Sequence, residues 1–271
     1  LYTVENARQI ITQFKTIPYN KTFLIDGLGD DVNVTFVDAG HILGSASVVL
    51  EIKESGKTFK LGFTGDLGRK DLPILKDPVF MGDVDYLITE STYGGLYHEP
   101  ASKIEQGLLD TVTDALSTNG KIIVPSFSVG RTQELVYELS KMKAAGKLPD
   151  FPVYVDSPLS VNATEIFKLH PECFDEETFK LLASGVHVFG SDTVKYITKV
   201  EDSKKLNAIK GTAMIISASG MCEAGRILHH LANNVGNAKN TIMIIGYMAE
   251  HTLGRELIKA SDKPGYSVKI F

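Results

Sequence analysis

Between about residues 100 and 260, short uninterrupted apolar runs alternate strictly with amphipathic stretches of helical period. The runs are Lys121-Ile122-Ile123-Val124-Pro125-Ser126, residues 152–156, residues 186–189, Ala213-Met214-Ile215-Ile216-Ser217 and Thr241-Ile242-Met243-Ile244-Ile245. Helices are predicted between and around them, over 101–117, 130–145, 159–169, 175–184, 202–210, 223–234 and 252–260. A strand that is apolar at every position needs cover on both faces, and strands of that kind separated by helices form a parallel sheet. This part of the chain is therefore expected to be a Rossmann-like parallel α/β unit.

The first 98 residues obey a different pattern. Val4, Ala7, Ile10, Ile11 and Phe14 have helical spacing, and Pro18 ends that helix. Strands are predicted over roughly 32–38, 46–53 and 57–65, joined by turns such as Glu54-Ser55-Gly56-Lys57, as in an antiparallel meander. After a loop with Pro73 and Pro78, Asp85-Tyr86-Leu87-Ile88-Thr89-Glu90 reads as a further buried strand. The chain has 271 residues, 43% of them hydrophobic, enough for two cores. It opens on Leu1 directly into a helical pattern and stops within an alternating run, Tyr266 to Phe271, that needs strand neighbours. It reads as an internal piece of a longer protein, with a mostly β unit over 1–98, an inserted α/β unit over 99–264, and a return to the first unit beginning at 265–271.

Charge and cysteine usage narrow the function classes. A net charge of −5 argues against a protein that coats polyanions, so any nucleic-acid contact must come from a local groove. No apolar run approaches a membrane span and no membrane partner is expected. Two cysteines, Cys173 and Cys222, form neither a disulfide framework nor a C-x-x-C site, which fits a reducing, cytoplasmic location.

Two features carry chemistry. The first is Val34-Thr35-Phe36-Val37-Asp38-Ala39-Gly40-His41-Ile42-Leu43-Gly44-Ser45-Ala46, followed by a strand ending in Gly65-Asp66-Leu67-Gly68-Arg69. An imidazole and a carboxylate each sit just past a strand end, and a borderline nitrogen with a hard oxygen suits zinc or a similar metal. A structural hydrogen-bonded pair is the alternative. Glu90, at the next strand end, is a candidate for orienting such a site or for capping a helix.

The second feature is the set of strand ends in the α/β half, where ligands bind in open parallel sheets. They carry Ser126-Phe127-Ser128-Val129-Gly130-Arg131, Asp156-Ser157-Pro158, Ser217-Ala218-Ser219-Gly220 with Gly225-Arg226, and Gly246-Tyr247 with Thr252-Leu253-Gly254-Arg255. Hydroxyls, free helix N–H groups and guanidinium groups suit phosphates, and several in a row suit a nucleic-acid backbone. Ordinary capping explains any one of them alone. His229 and His230 are adjacent in a helix and cannot both face one site. His98, His170 and His187 show no partner pattern, and His251 lies at a strand-to-helix turn.

In order and spacing, AGHILGSAS and FTGDLGR resemble two metal-binding motifs of the metallo-β-lactamase fold. ITESTYGG, PSFSVGRTQEL, DSPLS, SASGMCEAGRILHHL and GYMAEHTLGREL resemble the β-CASP branch of that fold, a group of RNA-processing nucleases. The resemblance runs nearly end to end. It implies part of an αββα metallo-β-lactamase domain followed by the inserted β-CASP domain. It also implies two zinc ions, with His41 a ligand to one, Asp66 bridging both and Glu90 beside the ligands as a catalytic acidic residue. RNA would be held by single-strand backbone contacts from Ser126, Ser128, Gly130, Arg131, Ser157, Ser217, Ser219, Gly220, Arg226, Thr252, Gly254 and Arg255. The implied activity is phosphodiester hydrolysis as an endonuclease or 5′-exonuclease, and a homodimer is compatible with it. The family's H-x-H-x-D-H signature and its two later histidine motifs are absent from this sequence, so the site is expected to be incomplete and this chain alone to be inactive. Two rivals remain: a non-catalytic RNA-binding scaffold of the same branch, and a small-substrate hydrolase of the wider fold.

Overall fold

The computed structural model describes residues 2–98, 101–190, 192–261 and 268–270. The chain divides into two compact units, one of residues 1–71 and 77–94, the other of residues 72–76 and 95–271.

In the first unit, helix α1 (Val4–Ile11) begins with a capping box, in which the Thr3 hydroxyl accepts from the Asn6 N–H and the Asn6 side chain accepts from the Thr3 N–H. It ends at Ile11, short of the expected residue 14, and its apolar stripe is exposed. One five-stranded sheet follows, in the order β1 (Thr22–Leu24), β2 (Val32–Asp38), β3 (Ala46–Glu54), β4 (Lys57–Phe63) and β5 (Tyr86–Ile88). The first three pairings are antiparallel and β4–β5 is parallel. The meander matches expectation, while β1 carries too short an apolar pattern to have been read from the sequence. The last strand departs from expectation, because Tyr86, Leu87 and Ile88 are exposed rather than buried.

The second unit is the α/β half. Helix α2 (Ala101–Thr118) precedes β6 (Lys121–Pro125), α3 (Arg131–Ala144), β7 (Val153–Asp156), α4 (Pro158–Leu169) and α5 (Glu176–Ala183). Strand β8 (Val194–Tyr196), α6 (Val200–Asn207), β9 (Ala213–Ser217), α7 (Arg226–Asn234), β10 (Thr241–Ile242) and α8 (Leu253–Ser261) complete it. The strands form one all-parallel sheet in the order β10-β6-β9-β7-β8. The two-residue alternation of side chains splits the apolar runs between two cores. Ile122, Val124, Val153, Val155, Met214 and Ile216 pack on one face, and Ile123 and Ile215 on the other. Each such fully buried side chain contributes roughly 1.5–3 kcal/mol, which is why the continuous apolar runs specify this sheet.

Three expected strands change. Residues 186–189 form no strand; Val188 and Phe189 are buried in a turn, and Val194–Tyr196 takes the edge position beside β7. The strand over 241–245 is reduced to Thr241–Ile242. Residues 268–270 are not in a strand, and Ile270 packs against the core of the second unit, while Tyr266, Ser267 and Phe271 lie outside the described residues. No described helix is long and apolar enough to cross a membrane.

Candidate functional site

In the first unit, β2 and β4 flank β3 and run in the same direction, and β5 is parallel to β4. The segments after all three therefore emerge at one end of the sheet, and these segments carry His41, Asp66 and Glu90. The His41 loop is pinned by one hydroxyl: the His41 and Ile42 N–H groups donate to Ser45 Oγ at 3.0 and 3.3 Å. It is closed by Ala39 N–H to the Ser45 carbonyl at 3.2 Å. The Asp66 loop is held against it by the Gly68 N–H, which donates to the Ala39 carbonyl at 2.8 Å. Two glycines permit this approach. A Cβ on Gly68 would fall on the Gly40 carbonyl, and one on Gly40, at φ +60°, would collide with the Pro78 backbone.

The result is a His41 Nε2 to Asp66 Oδ2 separation of 3.9 Å, with Asp66 78% exposed. Glu90 braces the Asp66 loop. Its Oε1 accepts from the Leu67 N–H at 2.8 Å, and its Oε2 from the Thr92 hydroxyl at 2.7 Å. These bonds, the Thr92 hydroxyl foremost and then the Leu67 N–H, hold its carboxyl below the usual glutamate range, so it is a fixed anion behind Asp66. Donors 3.9 Å apart are wider than the edge of about 3.4 Å that bonds of about 2.0–2.2 Å give a tetrahedral zinc site, so a side-chain rotation is needed to bring both onto one ion. Two donors fall short of the three protein ligands a catalytic zinc takes. Among the described residues, no group of three or more His, Cys, Asp or Glu side chains is placed to hold an ion.

The strand ends of the second unit form a different kind of assembly, centred on Asp156 at the end of β7. This carboxylate is 0% exposed. It accepts from Arg226 Nη1 at 2.6 Å and faces His230 Nε2 at 2.7 Å, and it also accepts from the Ser203 hydroxyl. Burial pushes its pKa up, but the bonds to His230, Ser203 and Arg226 outweigh that and leave it below the ordinary aspartate value. The second nitrogen of His230 is bonded to Asn207 Oδ1 at 3.0 Å.

This network absorbs several residues expected to face RNA. Arg226 also donates to the Thr198 carbonyl at 2.6 Å, so its guanidinium is held inside. The Ser217 hydroxyl is buried and donates to the Asp156 carbonyl at 2.9 Å. Ser126 is buried against Thr132, and Ser157 caps α4 by accepting from the Ser160 N–H at 3.2 Å. Ser219 accepts from the Glu223 and Ala224 N–H groups. The first turn of α8 is also occupied: Leu253 N–H donates to Glu223 Oε1, Gly254 N–H to the Met221 carbonyl and Arg255 N–H to Thr252 Oγ1. Arg255 pairs with Glu250 at 2.9 Å. Gly130 and Gly220, like Gly254, are buried backbone positions.

The start of α3, with the loop before it, holds the remaining expected residues, Arg131 and Ser128. It has Gly130 as its N-cap and no side-chain cap, Arg131 is half-buried against Glu134 at 2.6 Å, and Ser128 is half-buried with its hydroxyl 3.2 Å from that of Ser157. Sequence reading passed over Asp156 and His230 as a pair. The available signal was a carboxylate closing an otherwise apolar strand, which cannot be buried without partners. Cys222 is buried, and its thiol is pushed up to about 12 by that burial, so it is no nucleophile.

Comparison with known proteins agrees with this architecture. Residues 132–257 match the Beta-Casp domain family. The chain is similar to Ribonuclease TTHA0252 of Thermus thermophilus, 30% identical over 254 residues, 94% of this chain and 57% of that protein. It is similar to an RNase J-like protein of Methanocaldococcus jannaschii, 35% identical over 234 residues, 84% of this chain and 52% of that protein. It is also 28% identical over 278 residues to Endoribonuclease YSH1 of Gibberella zeae, 97% of this chain and 32% of that protein. The chain thus spans about half the length, or less, of these relatives.

Proposed function

This chain belongs to the β-CASP branch of the metallo-β-lactamase fold, and from that premise we propose that the protein it forms part of is a metal-dependent ribonuclease. The reaction is hydrolysis of RNA phosphodiester bonds, in endonuclease or 5′-exonuclease mode, on single-stranded RNA. The observation that carries this reading is the convergence of His41 Nε2 and Asp66 Oδ2 to 3.9 Å on loops clamped together by main chain, the Asp66 loop being braced by Glu90. The names of the relatives, ribonuclease and endoribonuclease, support the same substrate.

His41 and Asp66 are the residues that hold metal in this proposal, with zinc the ion their chemistry favours and two ions the number the resemblance implies. When bound, the metal supplies Lewis acidity toward phosphoryl oxygens and activates the attacking water. Glu90 keeps the Asp66 loop in place and adds a fixed negative charge behind it. In the second unit, the α3 N-terminus with Arg131 and Ser128 is the proposed phosphate contact, and Ser219, Thr252 and Arg255 contribute through the loops they order. We extend the proposal to a cytoplasmic location, in keeping with two free cysteines, and to a homodimer, to be read from the hydrodynamic mass of the full-length protein.

The test is cleavage of a 5′-labelled single-stranded RNA by the full-length protein before chelation, after chelation and after zinc is returned. Activity lost and then regained is expected. Cleavage that survives complete chelation, or hydrolysis of small thioesters with RNA left intact, refutes the reading. A second expectation concerns Arg131→Ala. It should weaken RNA binding at low salt and reduce the slope of log affinity against log salt by about 1, the signature of one lost phosphate contact. An unchanged slope removes Arg131 from the RNA path.

A further inference from the structure

We infer that Phe127 is a base-stacking platform for single-stranded RNA at the end of the second unit's sheet; the inference rests on the RNA reading above. Phe127 lies two residues past the end of β6 and is 41% exposed, although every residue of β6 itself and the intervening Ser126 are buried. Its ring lies across Gly220, where three ring carbons occupy the space a Cβ would need. The glycine thus supports the ring from the neighbouring strand-end loop, since β6 and β9 are adjacent in the sheet.

The main chain beneath the ring is fixed by buried groups. The Thr132 hydroxyl donates to the Phe127 carbonyl at 2.7 Å and lies 2.9 Å from Ser126 Oγ, and the Ser126 hydroxyl lies 3.3 Å from the same carbonyl. Thr132 and Ser126 are both 1% exposed. Buried hydroxyls therefore hold in one position a residue whose aromatic surface faces solvent. A core residue needs no such arrangement, and a ring exposed by chance receives no such support. An aromatic face pre-ordered in this way, four residues before the Arg131 guanidinium, matches what non-sequence-specific single-strand binders use: a flat π surface for the base beside a cation for the phosphate. Stacking of this kind accepts every base, so it adds affinity for unpaired RNA without sequence preference.

The experiment uses the full-length protein with a single-stranded RNA and an abasic strand of the same length and charge, at fixed salt. Wild type is expected to prefer the RNA. Phe127→Ala should lose roughly 5- to 100-fold in RNA affinity, the range found when one base loses its aromatic partner, with little change on the abasic strand and no change in salt slope. Phe127→Tyr should retain the preference, and Phe127→Leu, which keeps apolar bulk without a π face, should lose it. Circular dichroism melting identifies any variant that fails to fold. Equal loss on both strands, or a fully active Leu variant, overturns the stacking role while leaving the RNA reading intact. A wild-type protein that binds neither strand overturns the RNA reading and the stacking role with it.

Discussion

Asp66→Asn in the full-length protein is expected to lower RNA cleavage by more than about 100-fold, exceeding the 10–100-fold loss typical when only a partner of a metal ligand is removed. RNA binding should stay close to wild type. The side chain is 78% exposed and 3.9 Å from His41, so the substitution removes the charge proposed to bind metal without opening a cavity. The loop should keep its place, because its hydrogen bonds run through the Gly68 N–H and from the Leu67 N–H to Glu90 rather than through Asp66. Cleavage and equilibrium binding, measured on the same RNA with metal content determined in parallel, check the expectation. Loss of binding in proportion to cleavage would make Asp66 a substrate contact and not a metal ligand.

The largest stability effect is expected at Asp156. Asp156→Asn leaves Arg226 and His230 facing a neutral, fully buried amide, and removing one partner of a buried charge network costs about 3–5 kcal/mol. Urea unfolding of the wild type and the variant gives the difference; a cost below about 1 kcal/mol would contradict the central role of this carboxylate. The same group sets an acid limit. Its folded pKa lies below the ordinary 3.8, so folding favours the ionised form. That contribution is fully present above the unfolded value and is lost as pH falls through the folded one. The wild-type second unit should therefore lose stability in acid below about pH 4, and the Asn variant should show a flatter dependence over that window.

Why some of this was readable and some was not follows from particular residues. The parallel sheet was legible because Ile122 to Val124 and Ala213 to Ile216 are apolar at every position, a pattern that only two-sided burial explains. Residues 186–189 carried the same local signal and misled, because Val188 and Phe189 are equally buried without pairing. Apolarity reports burial and not hydrogen bonding. The meander and the positions of His41, Asp66 and Glu90 after strand ends were legible from turn glycines, but the 3.9 Å approach depends on contacts between segments about 25 residues apart.

Ser126, Ser157, Ser217 and Arg226 have internal partners that the sequence does not announce, for a related reason. A hydroxyl at a strand end looks the same in sequence whether it meets a phosphate or the Asp156 carbonyl. Only the fold reveals that residues 203, 226 and 230 converge on a carboxylate 47, 70 and 74 positions away. The sequence pattern did mark this end of the sheet as special. Its hydroxyls and cations turn out to be largely spent on ordering the loops, with Arg131 and Ser128 half-buried and Phe127 exposed.

The seam between the Gly40 and Gly68 loops has one more implication. The spacing of backbone positions 41 and 66 is dictated by main chain lying on main chain, so it does not depend on which side chains they carry. The side chain can thus be exchanged while the backbone point that carries it is kept. In the proposed metal site, single substitutions at these points would shift the preference between softer and harder ions, with the glycines, and not the ligands, setting the gauge.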